Sequence, residues 1–123
     1  ALIQALAKPL RERGADIVFV TGMAPLRSVA APPQAAAAQG ALAGLVRSLP
    51  RALAPNVRAN VLALGTLDGG TAGRIETAFT SSQERFSALH RVGTAPEIAE
   101  AIRWLALDNT YLSGAVIPAA GGL

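Results

Sequence analysis

The sequence has no cysteine and one histidine, His90; Lys8 is its only lysine, Tyr111 its only tyrosine and Trp104 its only tryptophan. The missing cysteines exclude disulfides, thiolate catalysis and cysteine metal sites. With one histidine, a zinc site would have to gather carboxylates from far apart, and no spacing suggests it. No apolar run is long enough to span a bilayer, because Arg58 interrupts the best candidate. A signal-peptide pattern is also lacking, so a cytoplasmic protein without membrane contact is expected. Most telling is one window: residues 22–56 hold no Tyr, Lys, His, Asp or Glu.

What is present is apolar and small. Of 123 residues, 51% are hydrophobic but only 4% aromatic, so the core must be built from Ala, Leu, Val and Ile. Such a core lets helices approach closely. The net charge of +3 comes almost wholly from arginine. The arginines are scattered, with no run and no interleaved aromatics, which argues against a nucleic-acid patch. The length fits one domain or part of a larger one. The chain opens on Ala1 inside a helical pattern, as expected of a processed or excised chain.

Along the chain, ALIQALAKPLRER (1–13) reads as an amphipathic helix with Leu2, Ile3, Leu6 and Leu10 on one face. Pro9 should loosen its last turn, and Gly14 ends it. DIVFVT (16–21) is a continuous apolar run of the kind found in buried parallel strands. Residues 22–33 form a Gly- and Pro-rich loop. A helix over 34–53 follows, with a stripe of Leu42, Leu45, Val46 and Leu49. Ala35 to Ala38, Ala41 and Gly44 form a smooth opposing face. Pro50 should kink it or end it early. VRANVLAL (57–64) is a second strand, and Gly65 to Gly73 a flexible glycine-rich loop. Short helices are expected near 72–79 and 83–90, the second with Ser81 and Glu84 at capping-box spacing. Thr94 and Glu97 make another such box, with Pro96 in the first turn, opening a helix to about Leu107. Ile98, Ala101, Ile102 and Leu105 are its buried stripe, and Trp104 covers its edge. Residues 114–119 are a third strand. This alternation implies an α/β fold with a parallel sheet and right-handed crossovers.

The ordered segments IVFVTGM, PQAAAAQGALAGLVRSL, NVRANVLALG, RVGTAPEIAEAIRWLA and YLSGAVIPAAGG together resemble the short-chain dehydrogenase/reductase family, in its 3-oxoacyl-carrier-protein reductase-like form. The likeness spans nearly the whole chain but only the second half of a family member. It implies the C-terminal half of a Rossmann-type, doubly wound sheet, three strands with flanking helices. Residues 1–123 would then be a single partial domain without the nucleotide-binding first half. Val20-Thr21-Gly22 could pass for the start of a dinucleotide loop, but MAPLRSVAAPPQ follows with no further glycine before Gly40.

The family's chemistry needs a serine, then a tyrosine and a lysine four residues apart on one helix face. That spacing places the two side chains together, and the cation favours the phenolate. By resemblance, those positions are Gly22, Ala35 and Gln39, none of which titrates. The Pro-Gly common after the family's strand is Leu64-Gly65 here, and the Asp before the last glycines is Ala120. Residual cofactor contacts are expected from backbone at Gly65, Thr66 and Leu67. On this reading no cofactor binds this chain alone; NAD(P) would bind only if the missing half completed the site. The resemblance also implies pairing with a second copy or a paralogous reductase through helices 1–13 and 34–53. The chain then reads as a non-catalytic partner subunit. The alternative is an NAD(P)-dependent oxidoreductase of the 3-oxoacyl thioester type using another proton donor, from Thr21, Ser28, Thr66, Asp68 and His90. Without the first half, the strand at 16–21 leaves an exposed apolar edge.

Overall fold

A computed structural model describes residues 2–28, 31–69 and 77–123. Helix α1 (Leu2–Arg13) ends at Gly14, whose φ of +76° is left-handed and whose amide donates to the Leu10 carbonyl at 3.0 Å. Strand β1 (Ala15–Gly22) follows, then α2 (Pro33–Leu53), β2 (Val57–Leu64), α3 (Thr77–Phe86), α4 (Ala95–Arg103) and β3 (Val116–Ala119). The strands form a parallel sheet in the order β1-β2-β3, with Ala15 opposite Val57 and Val61 opposite Val116. The expected α/β architecture of three parallel strands with flanking helices is therefore present.

The core lies between α2 and β2. Val46, Leu49 and Leu53 of α2 meet Val57, Ala59 and Val61, with Ile17 and Phe19 of β1 beside them. Fully burying side chains such as Val46, Val61 and Leu62 contributes roughly 1.5–3 kcal/mol each. At the base of the sheet, Asp16 and Arg58 stand opposite one another in register and pair through two hydrogen bonds of 2.7 Å. Arg11 donates to the Ala52 carbonyl, and Asn56 donates to the Arg11 carbonyl, tying the ends of α1 and α2 together.

Several expectations need correction. Pro50 does not end α2, which runs through it to Leu53. The carbonyl that loses its partner, that of Val46, lies beside the backbone of Gly114, where no side chain crowds the proline ring. The stripe of α2 is rotated from the expected one: Ala43 is buried and Leu45 exposed. On α1, Ile3, Ala7 and Leu10 pack on the core, while Leu2 and Leu6 point outward. The two short helices are one in the described part, α3, and residues 72–76 lie outside the described residues. Ser81 and Glu84 are inside α3, so they form no cap; residues 87–90 are a turn. Helix α4 does carry the Thr94–Glu97 capping box. It then widens into a π-helical turn, Trp104–Asp108, before Leu107 is reached. Of its expected stripe only Leu105 is buried, and Trp104 is half-exposed. No helix among the described residues is long and apolar enough to cross a membrane.

One buried polar group organises the approach to β3. Asn60, 1% exposed, donates to the Leu112 carbonyl at 2.9 Å and accepts the Ala115 amide at 3.1 Å. Asn109, also buried, donates to the same Leu112 carbonyl and accepts the amides of Tyr111 and Leu112. The segment 109–115 is thus held to the centre of the sheet by side-chain amides. Replacing Asn60 by Ala would leave the Ala115 amide without a partner, at about 1–3 kcal/mol, while the Leu112 carbonyl keeps its bond from Asn109. Asn60→Ala is therefore expected to lower the unfolding free energy by about 2 kcal/mol in a urea titration.

Candidate functional site

At the C-terminal ends of β1 and β2 the chain leaves a cleft of about 430 Å³. Its wall begins with the crossing from β1 into α2. Met23 is buried and anchors a turn in which the amides of Leu26 and Arg27 both donate to its carbonyl, at 2.9 and 3.1 Å. That turn presents Arg27 and Ser28 to the cleft. On the other side stand Leu64, Gly65 and Thr66 from the end of β2, and Gln83 and Phe86 from α3.

The three positions expected to carry the family's relay behave as follows. Gly22 and Gln39 are brought together. A Cβ at Gly22 would stand 2.8 Å from Gln39 Oε1 and 3.0 Å from Nε2. Gln39 Oε1 also accepts the Ala24 amide at 3.3 Å. The carboxamide thus fills the space that a side chain at residue 22 would need, and holds the loop there. Ala35 lies one turn earlier in α2, its amide donating to the Pro32 carbonyl. Nothing at the three positions can exchange a proton.

The alternative proton donors are scattered. Ser28 and Thr66 line the cleft; Asp68 and His90 do not. His90 has a φ of +52° and sits in the turn beyond α3, exposed, its amide donating to the Ser87 carbonyl rather than its side chain ending a helix. Thr21 is buried, and its hydroxyl has no partner among the described residues. Tyr111 is almost fully exposed and remote in the fold, on the segment leading to β3.

The loop after β2 is anchored as far as Asp68. The Gly93 amide donates to the Thr66 carbonyl at 3.0 Å and the Asp68 amide to the Gly93 carbonyl at 2.7 Å. Residues 70–73 of the expected flexible loop lie outside the described residues. The Gly65 amide, a residual cofactor contact by expectation, donates instead to the Ala119 carbonyl at 3.0 Å. The Leu67 backbone forms a parallel bridge with Gly93, and the Thr66 hydroxyl donates to Gln83 Oε1 at 3.4 Å. Of the groups expected to meet NAD(P), the Gly65 amide is thus already paired, and no lysine lines the cleft among the described residues.

A smaller cleft, about 260 Å³, adjoins the first across Thr66 and Gln83. Arg91 and Glu97 flank it, with Arg91 Nη1 donating to Glu97 Oε2 at 2.9 Å. Glu97 also accepts the amide and hydroxyl of Thr94. The Arg91 hydrogen bonds, and then those from Thr94, hold the Glu97 carboxyl down to about 2. At the floor, Ser87 donates to the Gly121 carbonyl at 2.9 Å, where the left-handed Gly121 makes room for the serine hydroxyl.

Sequence reasoning did not identify Arg27, Gln83 or Phe86 as cleft residues. Arg27 lies in a loop whose path depends on Met23 being buried. Gln83 was placed at the start of a separate helix that does not exist. The available signal was Arg27 itself, the arginine nearest β1 of the three (Arg27, Arg47 and Arg51) that are the only charged residues of the 22–56 window.

Two outcomes follow from this geometry. Gly22→Ala must displace the Gln39 carboxamide and lose its bond to Ala24, an effect of about 1 kcal/mol. In a Gln39→Ala background the same substitution meets no obstacle and should stabilise by about 0.5 kcal/mol through the unfolded chain. A double-mutant cycle read by denaturant unfolding should therefore show coupling of about 1.5 kcal/mol. Glu97 is more acidic folded than unfolded, so its contribution is complete above its ordinary value of 4.5 and is lost as pH falls toward about 2. Thermal melts between pH 5 and pH 2 should show a fall in Tm that is shallower in Glu97→Gln.

A family model described as enoyl-(acyl carrier protein) reductase matches residues 1–123. The 3-oxoacyl-[acyl-carrier-protein] reductase MabA of Mycobacterium avium is 32% identical over 115 residues, which cover 92% of this chain and 45% of that protein. The short-chain dehydrogenase/reductase SDRA of Arabidopsis thaliana is 30% identical over 99% of this chain and 49% of its own. Among solved structures, a 3-oxoacyl-[acyl-carrier protein] reductase from Brucella melitensis superposes with a TM-score of 0.90 at 25% identity, over 99% of this chain and 47% of that one. An NADPH-bound short-chain oxidoreductase from Pseudomonas aeruginosa, described as containing an atypical catalytic center, gives a TM-score of 0.84 at 28% identity, over 98% and 51%. The chain spans about half the length of the relatives it matches. With the sheet, the helix order and the family match in agreement, this chain belongs to the short-chain dehydrogenase/reductase family.

Proposed function

We propose that this chain is a non-catalytic short-chain dehydrogenase/reductase subunit, a cytoplasmic scaffold that pairs with a second copy or with a paralogous reductase. The observation that carries the reading is the Gln39 carboxamide, bonded to Ala24 and lying against Gly22 where the family places serine and lysine. A site built for proton relay needs a group whose pKa lies near working pH, and this trio has none. On this reading the chain alone holds no NAD(P).

The pairing surface is the outer face of α1 and α2. Leu2, Leu6 and Leu45 are exposed there. Ala37, Ala41, Gly40 and Gly44 are also exposed, and a Cβ on either glycine would meet nothing within 4 Å. A flat, small-residue helix face allows backbones to approach closely, and adjoining leucines supply apolar area to bury. An oxidoreductase completed by a first half elsewhere is the competing reading. The NADPH-bound relative with an atypical catalytic center favours it, since that protein shows departures from the usual centre within the family.

Sedimentation velocity tests the pairing. The protein is expected to dimerise at micromolar concentration, and Ala41→Glu with Leu45→Glu should weaken that at least about tenfold, equal to 1.4 kcal/mol. A wild-type monomer throughout would remove the partner-subunit role.

A further inference from the structure

The cleft beside Gly22 is rich in hydrogen-bond donors and poor in acceptors. Gln39 has committed Oε1 to the Ala24 amide, and Gln83 has committed Oε1 to the Thr66 hydroxyl. What both carboxamides still offer is N–H. Among the described residues no aspartate or glutamate lines this cleft, and Arg27 is the only charged side chain there. The Arg27 guanidinium makes no ion pair or hydrogen bond with any described residue, and unlike Arg13, Arg47, Arg51 and Arg85, which share that state, it lines the cleft. It is nevertheless presented by a fixed turn, anchored on the buried Met23 and tied by Gln39. The rest of the lining includes Met23, Leu64 and Phe86, the last 72% exposed.

We propose that this cleft binds a monocarboxylate with an apolar chain, the carboxylate on Arg27 and the glutamine N–H groups and the chain over Leu64 and Phe86. One cation matches one negative charge; a doubly charged phosphate would leave half its charge uncompensated. A guanidinium–carboxylate contact is a charge-assisted pair, about twice as strong as a neutral one and able to engage both oxygens. The volume suits a small ligand, at the low end of the range for small-molecule sites. The proposal rests on the non-catalytic reading in one respect: the carboxylate is held and not reduced. Gln39, by substituting for a cation, leaves Arg27 as the sole positive charge among the described lining residues and so sets the preference for one carboxylate.

Isothermal titration calorimetry with octanoate, octanamide and octyl phosphate tests this on the whole chain. Octanoate should bind saturably, with octanamide and octyl phosphate each at least tenfold weaker. Arg27→Gln, at an exposed position outside the core, should bring octanoate down to the level of octanamide, while Arg27→Lys keeps part of the preference. Equal affinity for octanoate and octanamide, unchanged binding in Arg27→Gln, tighter binding of the phosphate, or no saturable binding at millimolar ligand would each overturn it. Catalytic competence would appear separately, as NADPH consumption with a 3-oxoacyl thioester, and leaves this binding result unaffected.

Discussion

The structure depends on burying β2. It is the middle strand, paired on both sides, and Val57 and the run Ala59–Ala63 are all buried. Parallel strands of this kind are stable only when both faces are covered, so β2 dictates where the helices lie. The apolar side chains make the strand insoluble on its own. Asn60, the one polar residue in the run, then fixes which segment completes the sheet, by taking the Leu112 carbonyl and the Ala115 amide. A buried amide with both functions satisfied costs little, and it specifies one loop path over others.

The cleft is a consequence of that arrangement. At the top of a parallel sheet the strands end together, and the chain must turn away into loops, which leaves a crevice. What fills the crevice is then a matter of side chains on α2 and on the β1–α2 loop. Here a glycine and a glutamine have been fitted to each other, with Gly22 leaving room and Gln39 occupying it. Neither side chain titrates, so on the proposed reading the pair supplies no proton relay. Fold and chemistry are separable for this reason: the sheet is stabilised by β2 and α2, far below the positions that carry a relay.

Much of this was legible in the sequence. The apolar runs at Ile17–Val20 and Val57–Leu64, and the capping box at Thr94 and Glu97, placed strands and a helix because their signals are local. The lack of titratable groups other than arginine in the 22–56 window was legible directly. The failures have physical causes. Pro50 costs one backbone bond, but twenty other residues of α2 and its packing on β2 outweigh it. Ser81 and Glu84 have the spacing of a cap, yet a continuous helix satisfies the same amides without one. Leu45 and Ala43 exchange places because helix rotation is set by the sheet, not by residue size alone. The Gly22–Gln39 contact joins residues 17 apart and has no sequence pattern.

The central claim is that hydride chemistry has no proton partner in this chain. Stereospecifically deuterated NADPH, incubated with the protein and a 3-oxoacyl thioester, tests it through the isotope content of the hydroxyacyl product. The account predicts no deuterium above the protein-free control. Deuterium in the product, abolished by substituting Ser28 or Thr66, would contradict it.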